Sequence, residues 1–506
     1  MKAINYYILF LAPCLSFLFA GCNDNVNSNS SDDLIFRMVT KGRISTDGGK
    51  SRGVAWGDFD GDGDPDLYVT NANGQWNALY RNEGNGNFKK MTAPGEKASE
   101  TVIYGGNSQG ANWVDYDNDK DLDLFVVSRR EEAIFLFRND SLTQFTKITN
   151  SPLTSYGISA SMACWADMDN DGDLDVFLAG YNHPNLLFKN KGDGQFEKVE
   201  NTIVTANTEG RARACGCADT NNDGLPELYV ANARKPNLYF QNLGDWQFKS
   251  VESGHVVEDV GYSYGISWAD YDEDGDLDLF LANFNKENFL YNNDGKGNFT
   301  PITEGVMALE KGGASKGHSW GDYDNDGDLD LFIGNGTYAP DMQNFLYLNQ
   351  GKGSFEKYLK GEIQIHADTS AGVAHADFDR DGDLDIFVAN WGGNDQINRL
   401  YENVSSTKNW ISMKLAGKLS NSYGVGAKVE VFISKESSTK RLNRWMYPIT
   451  GYASQNDYEL HFGLGEFSRI DSLVIHWPSG LIDTHENVKI NNHWLAEEQG
   501  KLTITN

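Results

Sequence analysis

Positive charge is in short supply in this chain. Forty-three Lys and Arg face 72 Asp and Glu, a formal net charge of −29. That balance argues against nucleic acid as a partner, because phosphates are neutralised by Lys and Arg. Long apolar runs are also missing. After the first twenty residues no stretch is long and apolar enough to span a bilayer. Cysteine is sparse, 5 in 506 residues, which excludes a disulfide scaffold. Nine His are scattered without an HExxH motif. No nucleophile elbow of the Gly-x-Ser-x-Gly kind is recognised. No catalytic residue is therefore assigned. Aromatics are plentiful, so disorder is expected only in the N-terminal tail.

The beginning of the chain reads as an export segment. Lys2 precedes an apolar run from Ile4 to Ala20, which ends in Phe19-Ala20-Gly21-Cys22 before a polar stretch. Small residues ahead of a cysteine resemble a bacterial lipoprotein signal, which implies lipid on Cys22; a plain signal peptide or a short membrane anchor is the alternative. The expected location is the bacterial cell envelope, at the outer membrane, with the lipid as the sole membrane contact. The expected organisation is a signal peptide (1–21), a tether (22–33), a repeat domain (34–403), a linker (404–409) and a C-terminal β domain (410–506).

What is abundant is acid, and it is ordered. Seven nine-residue loops recur at intervals of 51 to 57 residues and hold 34 of the acidic side chains. Candidate metal positions are Asp58, Asp60, Asp62, Asp64 and Asp66 in the first loop and Asp115, Asp117, Asp119, Asp121 and Asp123 in the second. They are Asp167, Asp169, Asp171, Asp173 and Asp175 in the third, and Asp219, Asn221, Asp223, Leu225 and Glu227 in the fourth. Asp270, Asp272, Asp274, Asp276 and Asp278 form the fifth set, and Asp322, Asp324, Asp326, Asp328 and Asp330 the sixth. Asp377, Asp379, Asp381, Asp383 and Asp385 form the seventh. Two unit charges ~4 Å apart repel by roughly 4 kcal/mol near a protein surface. A hard cation with oxygen ligands cancels that repulsion, and Ca²⁺ suits it better than Mg²⁺, so up to seven Ca²⁺ are expected. Positions one, three, five and nine would offer side chains and position seven its backbone carbonyl. The pattern is not an EF-hand, since the last acid stands at position nine and strands flank the loop. Lys120 replaces the expected glycine in the second loop, and the fourth loop carries less charge; weaker binding is expected at both.

Each repeat has four short apolar runs between turn signals, the pattern of a propeller blade. Phe-led outer strands follow six loops, but none follows the seventh. Ile35–Thr40, ahead of the first loop, matches the missing strand. The expected fold is all-β: a seven-bladed propeller closed by its N-terminal strand, which leaves no open sheet edge at the seam, followed by a small β-sandwich. Cys164, Cys215 and Cys217 read as small buried strand residues, with a disulfide from Cys164 to one of the others as the alternative.

The loops resemble the FG-GAP/VCBS repeats of integrin α-subunit propellers, which carry the same nine-residue calcium pattern; the resemblance covers roughly residues 34 to 403. The C-terminal segment resembles the ASPIC/UnbV domain that follows such repeats in the cartilage acidic protein family. It does so through Asn421, Gly424-Val425-Gly426-Ala427, His461-Phe462-Gly463-Leu464-Gly465 and Trp477-Pro478-Ser479-Gly480. His461 and His476 read as structural polar residues, with a place in a site as the alternative.

Arg52, Gln109, Arg213, Tyr264 and Lys316 recur just ahead of the inner-strand aromatics. They are expected at the central channel, at the end opposite the acidic loops. Such a ring suits an acidic glycan or an acidic protein surface; solvation at a channel mouth is the plainer alternative. Two functions follow. One is a lipid-anchored, calcium-binding adhesion module for an extracellular polysaccharide or protein. The other is a polysaccharide lyase using the channel mouth, where a base and a cation would be required.

Overall fold

The computed structural model describes residues 34–91, 106–129, 134–141, 144–206, 210–310, 313–336, 342–366, 368–392, 396–405, 408–435 and 438–505. The expected signal peptide, tether and lipidation site at Cys22 lie outside the described residues.

Seven antiparallel four-strand units are the blades; six are sheets on their own, and the first is extended by Ser454–Gln455 and Ile449–Thr450 into a six-stranded sheet. In the first, the inner strand Ser51–Gly57 leads into the acidic loop. The second strand Asp66–Asn71, the third Ala78–Asn82 and the outer Phe88–Lys90 follow. Second strands read as continuous apolar runs because both faces are covered by neighbouring blades. Leu67, Tyr68 and Val69 accordingly have no exposed surface. Outer strands, at the rim, are only half-buried.

The blades are separate sheets, and the circle is closed by packing and hydrogen bonds between them. The inner strand of each blade touches that of the next, and Ser51–Gly57 touches Ser370–Ala376 of the seventh. An asparagine ends every third strand and donates its side-chain amide to the carbonyl at loop position two of the preceding blade. Asn139 reaches Phe59, Asn190 Tyr116, Asn242 Met168, Asn293 Thr220, Asn349 Tyr271 and Asn403 Tyr323. Asn82 of blade one reaches Phe378 of blade seven at 2.7 Å and completes the ring. The turn glycines complement it. Gly86 has φ +70°, and a Cβ there would lie 2.4 Å from the Phe378 ring, so a bare backbone is required where blades meet.

The seam is where the sequence places it. Phe36–Met38 pairs with Arg399–Asn403, with Phe36 opposite Asn403 and Met38 opposite Tyr401. Phe36 is buried edge-on to Tyr323 at 6.1 Å. The cysteine alternative is the observed one: Cys164 and Cys217 are disulfide-bonded between the inner strands of blades three and four, and Cys215 is free and buried. Adjacent strands bring the two Cα atoms to 6.1 Å, within disulfide reach.

The C-terminal domain is a β-sandwich. One sheet holds Asn409–Ala416, Glu459–Gly465, His493–Glu497 and Leu502–Thr505. The other holds Lys428–Lys435, Ser438–Trp445, Ser472–His476 and Ile482–Glu486. Ile411, Met413 and Phe462 meet Val429, Val431 and Leu473 in one core between them. The sandwich sits on the acidic-loop face of the ring, and its segment 449–456 descends into the channel. Gln455 lies parallel to Ala55, and a Cβ on Gly53 would strike the Ala453 carbonyl at 2.3 Å. Inner-strand glycines at 53, 110, 265 and 372 make room for that segment. Among the described residues no helix is long and apolar enough to cross a membrane.

Candidate metal loops and the channel mouth

All seven loops share one backbone path. Position four is left-handed in every copy (Gly61, Asn118, Asn170, Asn222, Glu273, Asn325, Arg380), and so is position six. The N–H of position six donates to the first aspartate in all seven, as in Gly63 to Asp58 at 3.0 Å and Gly382 to Asp377 at 3.0 Å. Position five accepts the N–H of position seven, as Asp62 does from Asp64 at 3.1 Å. Position nine ties the loop to its blade: Asp66 accepts from Phe59 and from Asn82 on the third strand. Position seven reaches sideways, where Asp173, Asp276 and Asp383 accept the amides of Asn118, Asn222 and Asn325 from the preceding loop.

After these bonds, carboxylate oxygens still converge, and only some find a partner: Lys189 and the Trp246 indole donate to Asp169, Asn292 donates to Asp272 at 2.8 Å, and Arg81 and Lys408 stand 3.8 and 3.7 Å from Asp60 and Asp324. Oxygens of Asp115, Asp117 and Asp123 lie within 4.8 Å of one another, as do the sets Asp167–Asp169–Asp175, Asp270–Asp272–Asp278 and Asp322–Asp324–Asp330. In the first loop the converging set is Asp58, Asp60 and Asp62. Position three holds a buried oxygen without a donor in six loops: Asp60, Asp117, Asp169, Asp272, Asp324 and Asp379. Buried unpartnered carboxylates are costly unless a cation takes them. Burial, reinforced by neighbouring carboxylates, pushes Asp123 and Asp278 up to about 9 and Glu227 to about 8. The donor set is all hard oxygen, and it fits a divalent cation of the calcium class.

The two departing loops differ from each other. Lys120 takes the glycine conformation, φ +78°, and its N–H still donates to Asp115. The fourth loop supplies its own counter-group: the Asn221 amide donates to Glu227 Oε1 at 3.0 Å while its oxygen accepts from Asp223.

The sandwich contacts the first residue of six loops. Lys414 Nζ lies 3.5 Å from Asp58, Ser422 donates to Asp115, and Asn443 donates to Asp270 at 2.9 Å. The Gly463 N–H donates to Asp322 at 2.8 Å, His493 Nε2 lies 3.7 Å from Asp377, and the Tyr447 hydroxyl accepts the Asp219 N–H. The glycine motif around Gly463 is thus a docking surface, since a Cβ there would meet Asp322 at 2.3 Å. His461 is structural: buried, 2.6 Å from Asn325 and stacked on Trp410, it is held down to about 3 by burial. His476 pairs with Glu430 at 2.8 Å.

At the opposite end of the channel the five expected mouth residues do come together. Each is the second residue of its seven-residue inner strand. Arg52 donates to Gln109, and Gln109 donates to the Tyr452 hydroxyl of the descending segment. Arg213 lies over Tyr264 at 4.6 Å and over Tyr181 at 4.4 Å. Lys316 Nζ stands 5.3 Å from the Phe284 ring centre. The inserted segment covers part of this ring, so plain solvation does not describe all of it: Gln109 is 0 %, Arg213 5 % and Lys316 7 % exposed, while Arg52 and Tyr264 are half-buried. Among the described residues Arg129, Arg213 and Lys316 have no carboxylate partner, and Nε and Nη1 of Arg213 have no hydrogen-bond acceptor. Burial, with Arg52 and Arg213 nearby, lowers Lys316 to about 8.

Sequence reading missed Arg129, Phe284 and Trp391, which line the same pocket. A signal was available: each is the residue directly after the second strand of its blade. Tyr452, from another domain, gave none. Gly-x-Ser-x-Gly does in fact occur at 49–53, 106–110, 261–265 and 313–317. An elbow needs a strand-to-helix turn. Here the serine opens a strand, and Ser51, Ser263 and Ser315 donate to Asn71, Asn283 and Asn335, so it staples the blade.

The family models agree with this architecture. The FG-GAP-like repeat family matches residues 58–126, 115–178, 167–230, 219–281, 270–333 and 336–388, and the ASPIC and UnbV family matches 417–503. Cartilage acidic protein 1 of Xenopus tropicalis is 24% identical over 474 residues, spanning 85% of this chain and 71% of that protein. Its human counterpart is 23% identical over 467 residues, spanning 85% and 69%. Among solved structures, the BP39L lectin of Burkholderia pseudomallei superposes with a TM-score of 0.48 at 12% identity, covering 71% of this chain and 97% of that one.

Proposed function

The chain belongs to the FG-GAP-like repeat family and carries an ASPIC and UnbV domain, and from that premise we propose that it is an exported, lipid-anchored binding module. Its propeller is clamped by calcium, and it engages an extracellular glycan or protein at the channel mouth. The observation that carries the reading is the pairing of two features at opposite ends of one channel. Six position-three carboxylates hold buried oxygens without donors, the demand that Ca²⁺ meets. Cationic side chains without acidic partners stand among aromatic rings at the other end, the mixture by which concave sites hold polar ligands. The lipid on Cys22 would tether the protein to the bacterial envelope, most naturally the outer membrane.

A second reading, a polysaccharide lyase, draws support from Lys316. A lysine lowered to about 8 beside Tyr264 is a serviceable base. Incubation with uronate-containing glycans separates the two: unsaturated products appearing with turnover make it an enzyme.

The binding reading is tested by probing immobilised mature protein with a glycan array and with envelope and matrix proteins, in calcium and in chelator. Reproducible calcium-dependent capture is expected. No capture of any glycan or protein in calcium overturns it.

A further inference from the structure

We propose that the channel mouth takes the acidic end of a sugar, a pyranose bearing a carboxylate, and that the C-terminal domain builds part of that site. This rests on the binding-module reading and specifies its ligand. The pocket has a volume of about 100 Å³, which admits one small unit and not a protein face. Arg52, Arg129 and Lys316 line it, from blades one, two and six. Lys316 is 7 % exposed, and its ammonium lies by the rings of Phe284 and Tyr264, with the like charges of Arg52 and Arg213 nearby. An ammonium so largely withdrawn from water, with no carboxylate partner among the described residues, gains from an anion brought into the pocket. Arg213 stands behind Tyr264 and adds a second buried positive charge.

The remaining wall is aromatic. Phe284, Trp391 and Tyr264 come from the propeller, and Tyr452 comes from the sandwich. A bare anion such as phosphate has no use for such a wall, whereas the C–H face of a pyranose packs on it. Tyr452 lies 5.3 Å from Tyr264, and its hydroxyl accepts from Gln109, so the inserted segment sets the depth of the pocket.

The test is a titration of the mature full chain, in calcium, with methyl glucuronide, methyl glucoside and acetate, followed by tryptophan fluorescence. The glucuronide is expected to bind at least about tenfold more tightly than either of the others. Lys316→Met is expected to lose at least about tenfold of that affinity, and Lys316→Arg to recover part of it. Lys316→Met removes a buried unpaired charge, so an intact fold is expected and is checked by circular dichroism. Arg129→Met serves as the second variant. Equal binding of the glucoside removes the role of charge, and equal binding of acetate removes the role of the ring; either overturns the proposal. Glucuronide binding unchanged in both variants also overturns it. An Asp-rich peptide that binds and depends on Lys316 while no sugar binds overturns the sugar assignment and leaves the binding-module reading standing. If no glycan or protein binds at all, both readings fall.

Discussion

Gln109, on the inner strand of blade two, donates a hydrogen bond to the hydroxyl of Tyr452, which belongs to the C-terminal sandwich. The sandwich rests on the acidic-loop face, so this contact is made at the far end of the channel. One polypeptide segment therefore links the metal loops to the mouth. Asn456 accepts from Ser319 and the His375 N–H midway, and Tyr452 closes the far end.

That contact makes the inserted segment a measurable part of the fold. Tyr452→Phe leaves the Gln109 amide buried without its acceptor. A loss of about 1–3 kcal/mol is expected in denaturant unfolding. Tyr452→Ala is expected to cost more and to weaken ligand binding at the mouth. Stability equal to wild type in both variants would show that the segment contributes nothing.

Calcium removal is expected to lower the melting temperature, and re-addition to restore it. Each site saturated at about 100 times its dissociation constant contributes about 2.7 kcal/mol. Asp60→Asn is expected to imitate the fourth loop, where Asn221 already bridges to Glu227, and to reduce the number of ions bound by equilibrium dialysis. A melting curve indifferent to chelator counts against the metal role.

The seam is expected to be a point of weakness. Phe36→Ala removes a ring that is 1 % exposed and packed on Tyr323. A loss of about 3–5 kcal/mol is expected, read by chemical denaturation.

Ligand binding should fall as pH rises past about 8, where Lys316 loses its proton. Arg52, Arg129 and Arg213 are the other cations at the mouth, and Tyr264, which faces Lys316, is pushed upward by burial. Stability should move the other way. Lys316 titrates lower in the folded chain than in the unfolded one, so between about 8 and its usual 10.5 the unfolded state holds more protons. Stability attributable to this group therefore rises across that window. Lys316→Met is expected to abolish both effects in titrations across pH.

Reduction of Cys164–Cys217 is expected to weaken the join between blades three and four. The bridge spans 53 residues and its loss is expected to cost about 2–4 kcal/mol, measured by unfolding with and without reductant.

Most of the propeller is legible from the chain because its cause is local. The spacing of acids and glycines dictates each loop, since every copy places the same left-handed residues and the same N–H to Asp58-type bond within nine positions. The missing seventh Phe-led run foretells the seam, and Phe36 opposite Asn403 bears it out. Arg52 and Lys316 are readable as channel residues because they share one strand position.

What lay beyond reach was set by contacts between segments hundreds of residues apart. Nothing near Tyr452 announces that it will meet Gln109, because a side chain's partner across a domain interface leaves no period in the sequence. The same holds for Lys414 beside Asp58 and Gly463 against Asp322. The disulfide between Cys164 and Cys217 required knowing which blades are neighbours. Repetition encodes the blade and its metal loop, because their hydrogen bonds close within one turn of chain; burial of the mouth, and hence the cost of its unpaired cations, arises only once the second domain fills the channel.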